Sequence, residues 1–192
     1  MIKLSLKKLE RNLGYKVRNN IFCLAIDIAT KSGIALVHIF DGKVKIETFT
    51  LKIPALPKDI EDKNEKYEQH LRLFSKLFEE ELLPRISFSL KNYSLLVIEN
   101  SFLKMNVVTF GYLRAIQGIA YEKLHRKFSR VAFYFPTTAR KMVGFESRLG
   151  KKAKPKDKKK EIMKFISNII EQPIKDDNES DALLLAFAGL KL

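Results

Sequence analysis

The sequence is poor in the residues that mark several protein classes. It contains one cysteine, Cys23, no tryptophan, and three histidines, His38, His70 and His125, that are not spaced as metal ligands. A single cysteine cannot form a disulfide within the chain, which excludes a disulfide-stapled scaffold and suits a reducing compartment. The missing His/Cys cluster argues against a zinc site. Cys23 lies in an apolar run, and we expect it to be a small core residue.

Long apolar runs are also missing. No run approaches the about 20 residues that cross a bilayer, and no amphipathic helix with a Trp-rich apolar face is evident, so no membrane partner is expected. The 192 residues, of which 46% are hydrophobic, suffice for the core of one domain. We find no internal repeat and no linker that would divide the chain.

Acidic residues are scarce relative to basic ones. The 36 Lys and Arg against 22 Asp and Glu give a net charge of +14, which favours a polyanionic partner such as DNA or RNA. The first twenty residues, MIKLSLKKLERNLGYKVRNN, are nearly free of acid. We predict a basic N-terminal arm or short helix over residues 1–20, with a removable presequence as the alternative, and a single domain over residues 21–192.

Hydrophobic patterning predicts an α/β fold, a mixed sheet with helices on its faces. Apolar or alternating runs predict five strands, at Phe22–Ile28, Gly33–Phe40, Lys43–Lys52, Tyr93–Asn100 and Val131–Pro136. Helical spacing predicts helices at Asp59–Leu83, Val107–Arg126, Thr137–Val143 (capped by Thr137 or Thr138), Lys159–Gln172 and Glu179–Leu190.

Three carboxylates stand where the pattern predicts burial. Asp27 follows the apolar run FCLAI, Glu99 ends YSLLVIE, and Asp181 lies in the predicted first turn of the last helix, before an apolar run. A buried charge costs several kcal/mol without a partner. If the two strands are neighbours, about 4.8 Å apart, and the helix docks on them, the three side chains meet and need a cation. Oxygen ligands favour Mg²⁺ or Mn²⁺.

Each carboxylate also has an ordinary structural interpretation. Asp27 could cap the following turn, Glu99 could be solvated at a strand end, and Asp181 could stabilise the start of its helix through the helix dipole. The presence of all three at these positions in a strongly basic chain favours the metal site.

Four segments of the sequence, and the order in which they occur, resemble RuvC-type Holliday junction resolvases, which are ribonuclease H-like nucleases. They are LAIDIATKSGIALV, LLVIENSFLKMN with TFGYLRAIQGIAYE, PTTARKMVGFESRLGKKAKPKDKKKEIMKFI, and DDNESDALLLAFAG. The resemblance covers about residues 21–190 and implies a ribonuclease H-like mixed five-stranded sheet flanked by helices. The IDxxTxxG pattern alone also occurs in sugar kinases and actin-like ATPases; four segments in order are more specific.

The resemblance implies a magnesium-dependent endonuclease that resolves four-way (Holliday) DNA junctions by two-metal phosphodiester hydrolysis. Asp27, Glu99 and Asp181 would hold two Mg²⁺ ions, with Mn²⁺ able to substitute. The family's fourth acidic ligand falls on Asn178, a departure from the pattern; its carbonyl oxygen or the neighbouring Asp177 could replace that ligand.

The resemblance also suggests residues that contact DNA. Phe102 matches an aromatic that stacks on bases at the junction centre, although it could equally be a core anchor, and Lys141 matches a basic residue near the scissile phosphate. The further predicted DNA-binding residues, which could instead form a solvated charged surface, are Lys104, Arg140, Lys151, Lys152, Lys154, Lys156, Lys158 and Lys159.

A homodimer is expected because a four-way junction is nearly two-fold symmetric and needs paired cuts. The helix predicted at Val107–Arg126 is a candidate for the interface, or is buried within one monomer. We expect the protein in the cytoplasm of a bacterial or phage-infected cell, or in an organellar matrix.

Three alternative functions remain open at this point. One is a less selective ribonuclease H-like nuclease for branched DNA, and another is a catalytically weak junction-binding module, suggested by Asn178. The third is a nucleotide-hydrolysing protein of the actin and sugar-kinase group, suggested by the turn between Asp27 and Gly33. The chain is short for a two-lobed ATPase, and we find no second glycine-rich phosphate loop.

Overall fold

A computed structural model of the chain describes residues 1–56, 62–86, 93–101, 107–149 and 154–191. The strands in this part of the chain are β1 (Ile2–Ser5), β2 (Ile21–Asp27), β3 (Lys31–Phe40), β4 (Lys43–Lys52), β5 (Tyr93–Glu99) and β6 (Arg130–Tyr134). The α-helices are α1 (Leu6–Leu13), α2 (Lys63–Leu77), α3 (Val107–Leu124), α4 (Pro136–Met142), α5 (Pro155–Ile170) and α6 (Asp177–Leu190).

The strands form one mixed sheet in the order β1-β4-β3-β2-β5-β6. The pairs β2/β5 and β5/β6 are parallel, whereas β1, β4, β3 and β2 pair antiparallel in turn. The predicted α/β class, with helices on both faces of a mixed sheet, is therefore confirmed. The predicted count of five strands is wrong for the described residues, because β1 adds a sixth strand at one edge.

The extra strand comes from the segment that we predicted as a basic arm. Ile2 pairs with Ile46 of β4, and the next residues run directly into α1. Ser5 caps this helix by accepting a hydrogen bond from Lys8 N at 3.3 Å, and Gly14 ends it in a left-handed conformation (φ 74°). The strand has only four residues and runs into a Leu/Lys-rich helix. Its alternation of apolar and polar residues is therefore too short to predict a strand from the sequence.

The sheet separates two cores. On one face α6 packs directly on β2 and β3, α4 and α5 pack against α6, and α1 contacts β1, β4 and α5; Leu9, Ile166 and most of α6 belong to this core. On the other face α2 and α3 bury Phe74, Phe78 and Ile116. β2 and β5 lie at the centre of the sheet and are apolar on both faces, as expected of strands covered by helices on both sides.

Several helix boundaries differ from the predictions; α3 ends two residues early, at Leu124, and α5 spans Pro155–Ile170 instead of Lys159–Gln172. α2 ends at Leu77 and continues as a π-helical turn (Phe78–Leu82) and a 3-10 turn (Leu83–Arg85). The predicted caps of α4 are wrong: the helix starts at Pro136 after Phe135, without a side-chain cap. Proline suits the first helical position because its missing N–H would have no partner there. In the described part of the chain, no helix is long and apolar enough to cross a membrane.

Candidate active site

The centre of the sheet brings Asp27 and Glu99 together. β2 and β5 pair in parallel, with Ile26 opposite Ile98, so both acids lie at the carboxyl ends of neighbouring strands. Their carboxyl groups share a hydrogen bond, and Ile28 N donates to Glu99 Oε2 at 3.1 Å. The prediction that these two strands are neighbours is confirmed. Their pairing brings the two side chains together as a carboxyl–carboxylate pair.

Two carboxyl groups in contact cannot both remain charged at low cost. Burial, the hydrogen bond with Glu99 and the charge of Glu99 raise the pKa of Asp27 well above its usual value. Burial also raises the pKa of Glu99, although the hydrogen bonds from Asp27 and from Ile28 N oppose the rise. One shared proton on the pair is therefore more favourable than two adjacent charges when no cation is bound.

Asp181 reaches the pair from α6. Asp176 caps this helix by accepting hydrogen bonds from Asn178 N at 2.8 Å and Glu179 N at 3.4 Å, so the helix starts two residues before the predicted start. Asp181 consequently lies in the second turn rather than the first. Burial, followed by the charge of Asp27, raises the pKa of Asp181 to about 7. The third predicted carboxylate is thus within electrostatic reach of the first two.

Gly33 permits this approach. It lies opposite Asp27 in the β2/β3 register, and the start of α6 crosses directly over it. A Cβ atom at Gly33 would lie 2.0 Å from the backbone oxygen of Asn178 and 2.4 Å from its carbonyl carbon. A side chain at this position would therefore displace the N-terminal end of α6 and Asp181 with it. The motif IDxxTxxG includes this glycine, but the sequence did not indicate which element it contacts.

Two basic residues act on the carboxylates. Lys159 of α5 forms an ion pair with Asp177, which lowers the pKa of Asp177. Arg140 of α4 counteracts the rise in pKa of both Glu99 and Asp181, and its Nε is buried without a hydrogen-bond partner among the described residues. Arg140 thus carries a positive charge beside the carboxylates. Lys141, which we predicted to be catalytic, is exposed.

The two candidates for a fourth ligand are engaged elsewhere. Asn178 Nδ2 donates to Asp176 Oδ1 at 2.9 Å, and Asp177 pairs with Lys159. The charge of Asp177 nevertheless contributes to the raised pKa values of Asp27 and Asp181, so this side chain lies at the border of the site.

The arrangement fits a hard cation by its chemistry but is not assembled as a three-ligand cage. In the part of the chain that the structure describes, no group of three or more His, Cys, Asp or Glu side chains stands close enough to hold a metal ion. The side chains at the site offer carboxylate oxygens, the ligands that Mg²⁺ prefers. Burial and then the neighbouring carboxylates raise the pKa values of Asp27, Glu99 and Asp181, and a bound divalent cation would offset both effects.

Apart from Arg140 and Lys141 of α4, the predicted DNA-binding residues fall into two groups. Lys154 precedes α5, and Lys156, Lys158 and Lys159 occupy its first two turns. Lys159 connects this lysine cluster to the site through Asp177. The other predictions, Phe102, Lys104, Lys151 and Lys152, lie outside the described residues.

We expect the stability of the metal-free protein to fall as the pH rises from about 4 to 8. Folded Asp181 keeps its proton up to a pKa of about 7, whereas the unfolded chain loses it near 3.8, so unfolding releases a proton between these values. Thermal unfolding in EDTA should show a Tm lower at pH 8 than at pH 5 by on the order of 5 °C. Asp181→Asn should flatten this dependence, and an equal slope in both proteins would contradict the assignment.

Comparison with known proteins is informative at the level of structure. The sequence matches no protein-family model and no curated protein. RuvC of T. thermophilus, in a complex with a Holliday junction substrate, is similar with a TM-score of 0.59 and 13% identity, covering 87% of this chain and 91% of that one. The yeast mitochondrial Holliday junction resolvase Ydc2 is similar with a TM-score of 0.50 and 13% identity, covering 95% of this chain and 83% of that one. The chain has the RuvC-type, ribonuclease H-like fold of these structures.

Proposed function

We propose that the protein is a metal-dependent endonuclease that resolves four-way DNA junctions. The observation that carries the proposal is the contact of Asp27 of β2 with Glu99 of β5, with Asp181 of α6 within electrostatic reach of both, in a RuvC-type fold. One similar structure, Ydc2, is named a Holliday junction resolvase, and another, RuvC of T. thermophilus, was solved in complex with a Holliday junction substrate. The net charge of +14 suits a polyanionic substrate.

The residues of the site would hold two Mg²⁺ ions, with Mn²⁺ as a substitute. When bound, such ions activate an attacking water and stabilise the leaving oxygen of a phosphodiester. Asp27 and Glu99 would give up their shared proton to provide oxygen ligands, and the N–H of Ile28 fixes the orientation of Glu99. Asp181 would complete the set by moving towards this pair. The positive charge of Arg140 would lie beside the carboxylates and would favour the approach of a phosphate.

Phosphate contacts would come from the lysine cluster at the start of α5. Lys154 and Lys156 are exposed, and Lys159 lies next to the site. Each neutralised phosphate steepens the fall of affinity with salt, by about 0.9 in the log–log slope for duplex DNA. Junction binding should therefore weaken steeply between low and physiological salt.

A homodimer would contain two carboxylate sites, one for each of the two cuts that a four-way junction needs. α3 buries Ile116 and Ala120 within its own chain but exposes Val107 and Val108, which are 75% and 76% accessible. Exposed β-branched residues at the start of this helix support its use in an interface between two copies. We further propose that the enzyme acts in the cytoplasm or in an organellar matrix.

A second candidate is a junction-binding module with weak or no cleavage. It is favoured by the engagement of Asn178 with Asp176 and of Asp177 with Lys159, and by the lack of an assembled three-ligand group among the described residues. A nuclease of the same fold that cuts branched DNA with less selectivity would have the same carboxylates.

Labelled four-way, Y-shaped and linear DNA, each with Mg²⁺, with Mn²⁺ or with EDTA, distinguish these functions. We expect paired, nearly symmetric cuts in the four-way junction only with a divalent ion, at least about tenfold faster than in linear duplex. Equal rates on all three substrates would instead identify the less selective nuclease. Tight junction binding without product in either metal would identify the binding module and overturn the proposed activity.

A further inference from the structure

The sheet leaves one part of its surface uncovered, far from the carboxylates. At the turn end of the β3/β4 hairpin, α2 and α3 no longer cover the sheet, and Phe40 is 54% exposed. Five exposed residues of β1, β3 and β4 form this region, which we call the hairpin surface: Lys3, His38, Phe40, Lys43 and Lys45. Gly33 of β3 pairs with Asp27 of β2. Phe40 lies seven residues further along β3, and seven residues of extended strand span about 23 Å.

Strand register places these five residues on one face. Phe40 lies opposite Lys43, His38 lies opposite Lys45, and Lys45 lies opposite Lys3 of β1. Directly paired residues on adjacent strands project to the same side of a sheet. The hairpin surface therefore has two aromatic rings beside three lysines.

The two rings form part of a supported aromatic row. The His38 and Phe40 ring centroids are 6.3 Å apart, and Phe22 contacts His38 edge-on at 6.2 Å. Phe22 in turn stacks on Phe128 at 6.0 Å, which is buried. Phe40 is thus the exposed end of a row that is anchored in the core.

The turn that holds the surface is fixed. Asp41 and Gly42 both have positive φ, 50° and 68°, as a tight hairpin turn requires. Leu6 N donates to Gly42 O at 2.8 Å, which joins the turn to the start of α1. A rigid platform of this kind costs little ordering entropy when a ligand binds.

The charge on the hairpin surface is unpaired. None of Lys3, Lys43 and Lys45 forms an ion pair with a described residue. The next acidic residue on this face of β4 is Glu47, which forms an ion pair with Arg85 (Nη1 to Oε1, 3.2 Å). Three lysines without an ion pair to a described residue, placed beside exposed aromatic rings, are complementary to a ligand that combines negative charge with flat apolar groups.

We propose that the hairpin surface binds an unpaired nucleic-acid strand. Bases that are free of a duplex stack on aromatic side chains whatever their sequence, and lysines beside the rings contact the phosphates. A duplex keeps its base faces covered by stacking, so it could use the lysines but not Phe40. The proposed site is separate from the carboxylates and requires no nuclease activity.

The test uses fluorescence anisotropy with a labelled 15-nucleotide oligothymidine in EDTA. Phe40→Ala should raise the Kd about tenfold through the loss of one stacked base. Lys43→Glu/Lys45→Glu should raise it further and reduce the salt slope by about 1.4, the value for two phosphate contacts of a single strand. The matched control Lys66→Glu/Lys76→Glu on α2 has the same net charge and should change the Kd less than twofold.

Crosslinking identifies the contact directly and separates it from the lysine cluster of α5. An oligonucleotide that carries 5-iododeoxyuridine should crosslink to His38 or Phe40, as located by mass spectrometry. Asp27→Asn should lose junction cleavage yet crosslink equally, so failure of the nuclease proposal and failure of this one give different results. The proposal is overturned by crosslinks confined to α5, by unchanged affinity in Phe40→Ala, or by a sedimentation change in that variant that reveals an interface between copies.

Discussion

Replacing Asp27 by asparagine is expected to lower junction cleavage by about three orders of magnitude without loss of the fold. The substitution removes one negative charge from the position where a divalent cation would bind. One unit charge at about 4 Å and an effective dielectric constant of about 20 contributes on the order of 4 kcal/mol, which corresponds to about a thousandfold in rate.

The fold should tolerate this change because the metal-free protein already favours a neutral side chain at this position. The pKa of Asp27 is raised well above its usual value by burial and by Glu99, and its carboxyl group shares a hydrogen bond with Glu99. An asparagine amide can donate to Glu99 in the same way. In EDTA at pH 8, the Tm of Asp27→Asn should therefore equal or exceed that of the unmodified protein.

Single-turnover cleavage of a labelled four-way junction measures the rate, and a thermal shift with Mg²⁺ measures ion binding. The unmodified protein should gain stability as Mg²⁺ is added, whereas Asp27→Asn should gain much less. Asp157→Asn is a matched control, since it removes the same charge from an exposed position in the first turn of α5. Cleavage by Asp27→Asn at the unmodified rate would exclude Asp27 as a ligand.

The central part of the fold could be predicted because its signals are local. Apolar strands and an Asp-Gly turn define β2, β3, β4 and β5 to within two residues. Since α2 returns the chain from β4 to β5, β5 can pair in parallel with β2. Once those strands are neighbours, Asp27 and Glu99 must lie close together. The sequence alone was therefore sufficient for the first two carboxylates.

The other features depend on contacts between distant parts of the chain. The ion pair between Lys159 and Asp177 depends on how α5 packs against α6, and neither residue marks its partner in the sequence. Arg140 and Lys141 are adjacent in α4, and only the rotation of that helix makes Arg140 the residue beside the carboxylates. The contact of Gly33 with Asn178 likewise joins two segments about 145 positions apart.

That last contact predicts the second large effect. Gly33→Ala should reduce both stability and cleavage, because its methyl group would occupy the space of the Asn178 carbonyl, 2.0 Å away. The obstacle is backbone rather than a flexible side chain, so β3 or the start of α6 must move. Overpacking of this kind costs about 1–3 kcal/mol, which corresponds to a Tm lower by on the order of 5 °C in a chain of this size.

Cleavage should fall further than stability alone explains. Asp181 lies one turn beyond Asn178, so a shift of about 1 Å at the start of α6 moves the third carboxylate away from Asp27 and Glu99. Displacements of that size cost about a hundredfold in rate when a reacting group is misplaced. The rate should be measured well below the Tm of the variant, where the protein is folded.

Gly111→Ala provides the comparison, because a Cβ at Gly111 in α3 would have no neighbour within 4 Å and alanine favours a helix over glycine. That variant should keep or slightly raise its Tm and retain cleavage. If Gly33→Ala loses stability but cleaves at the unmodified rate, the position of Asp181 is not critical, and a site built on Asp27 and Glu99 alone would be indicated. If Gly33→Ala loses cleavage while Asp181→Asn does not, the substitution instead acts by moving β3 and, with it, Asp27. Asp27 is the residue that pairs with Gly33 in the β2/β3 register.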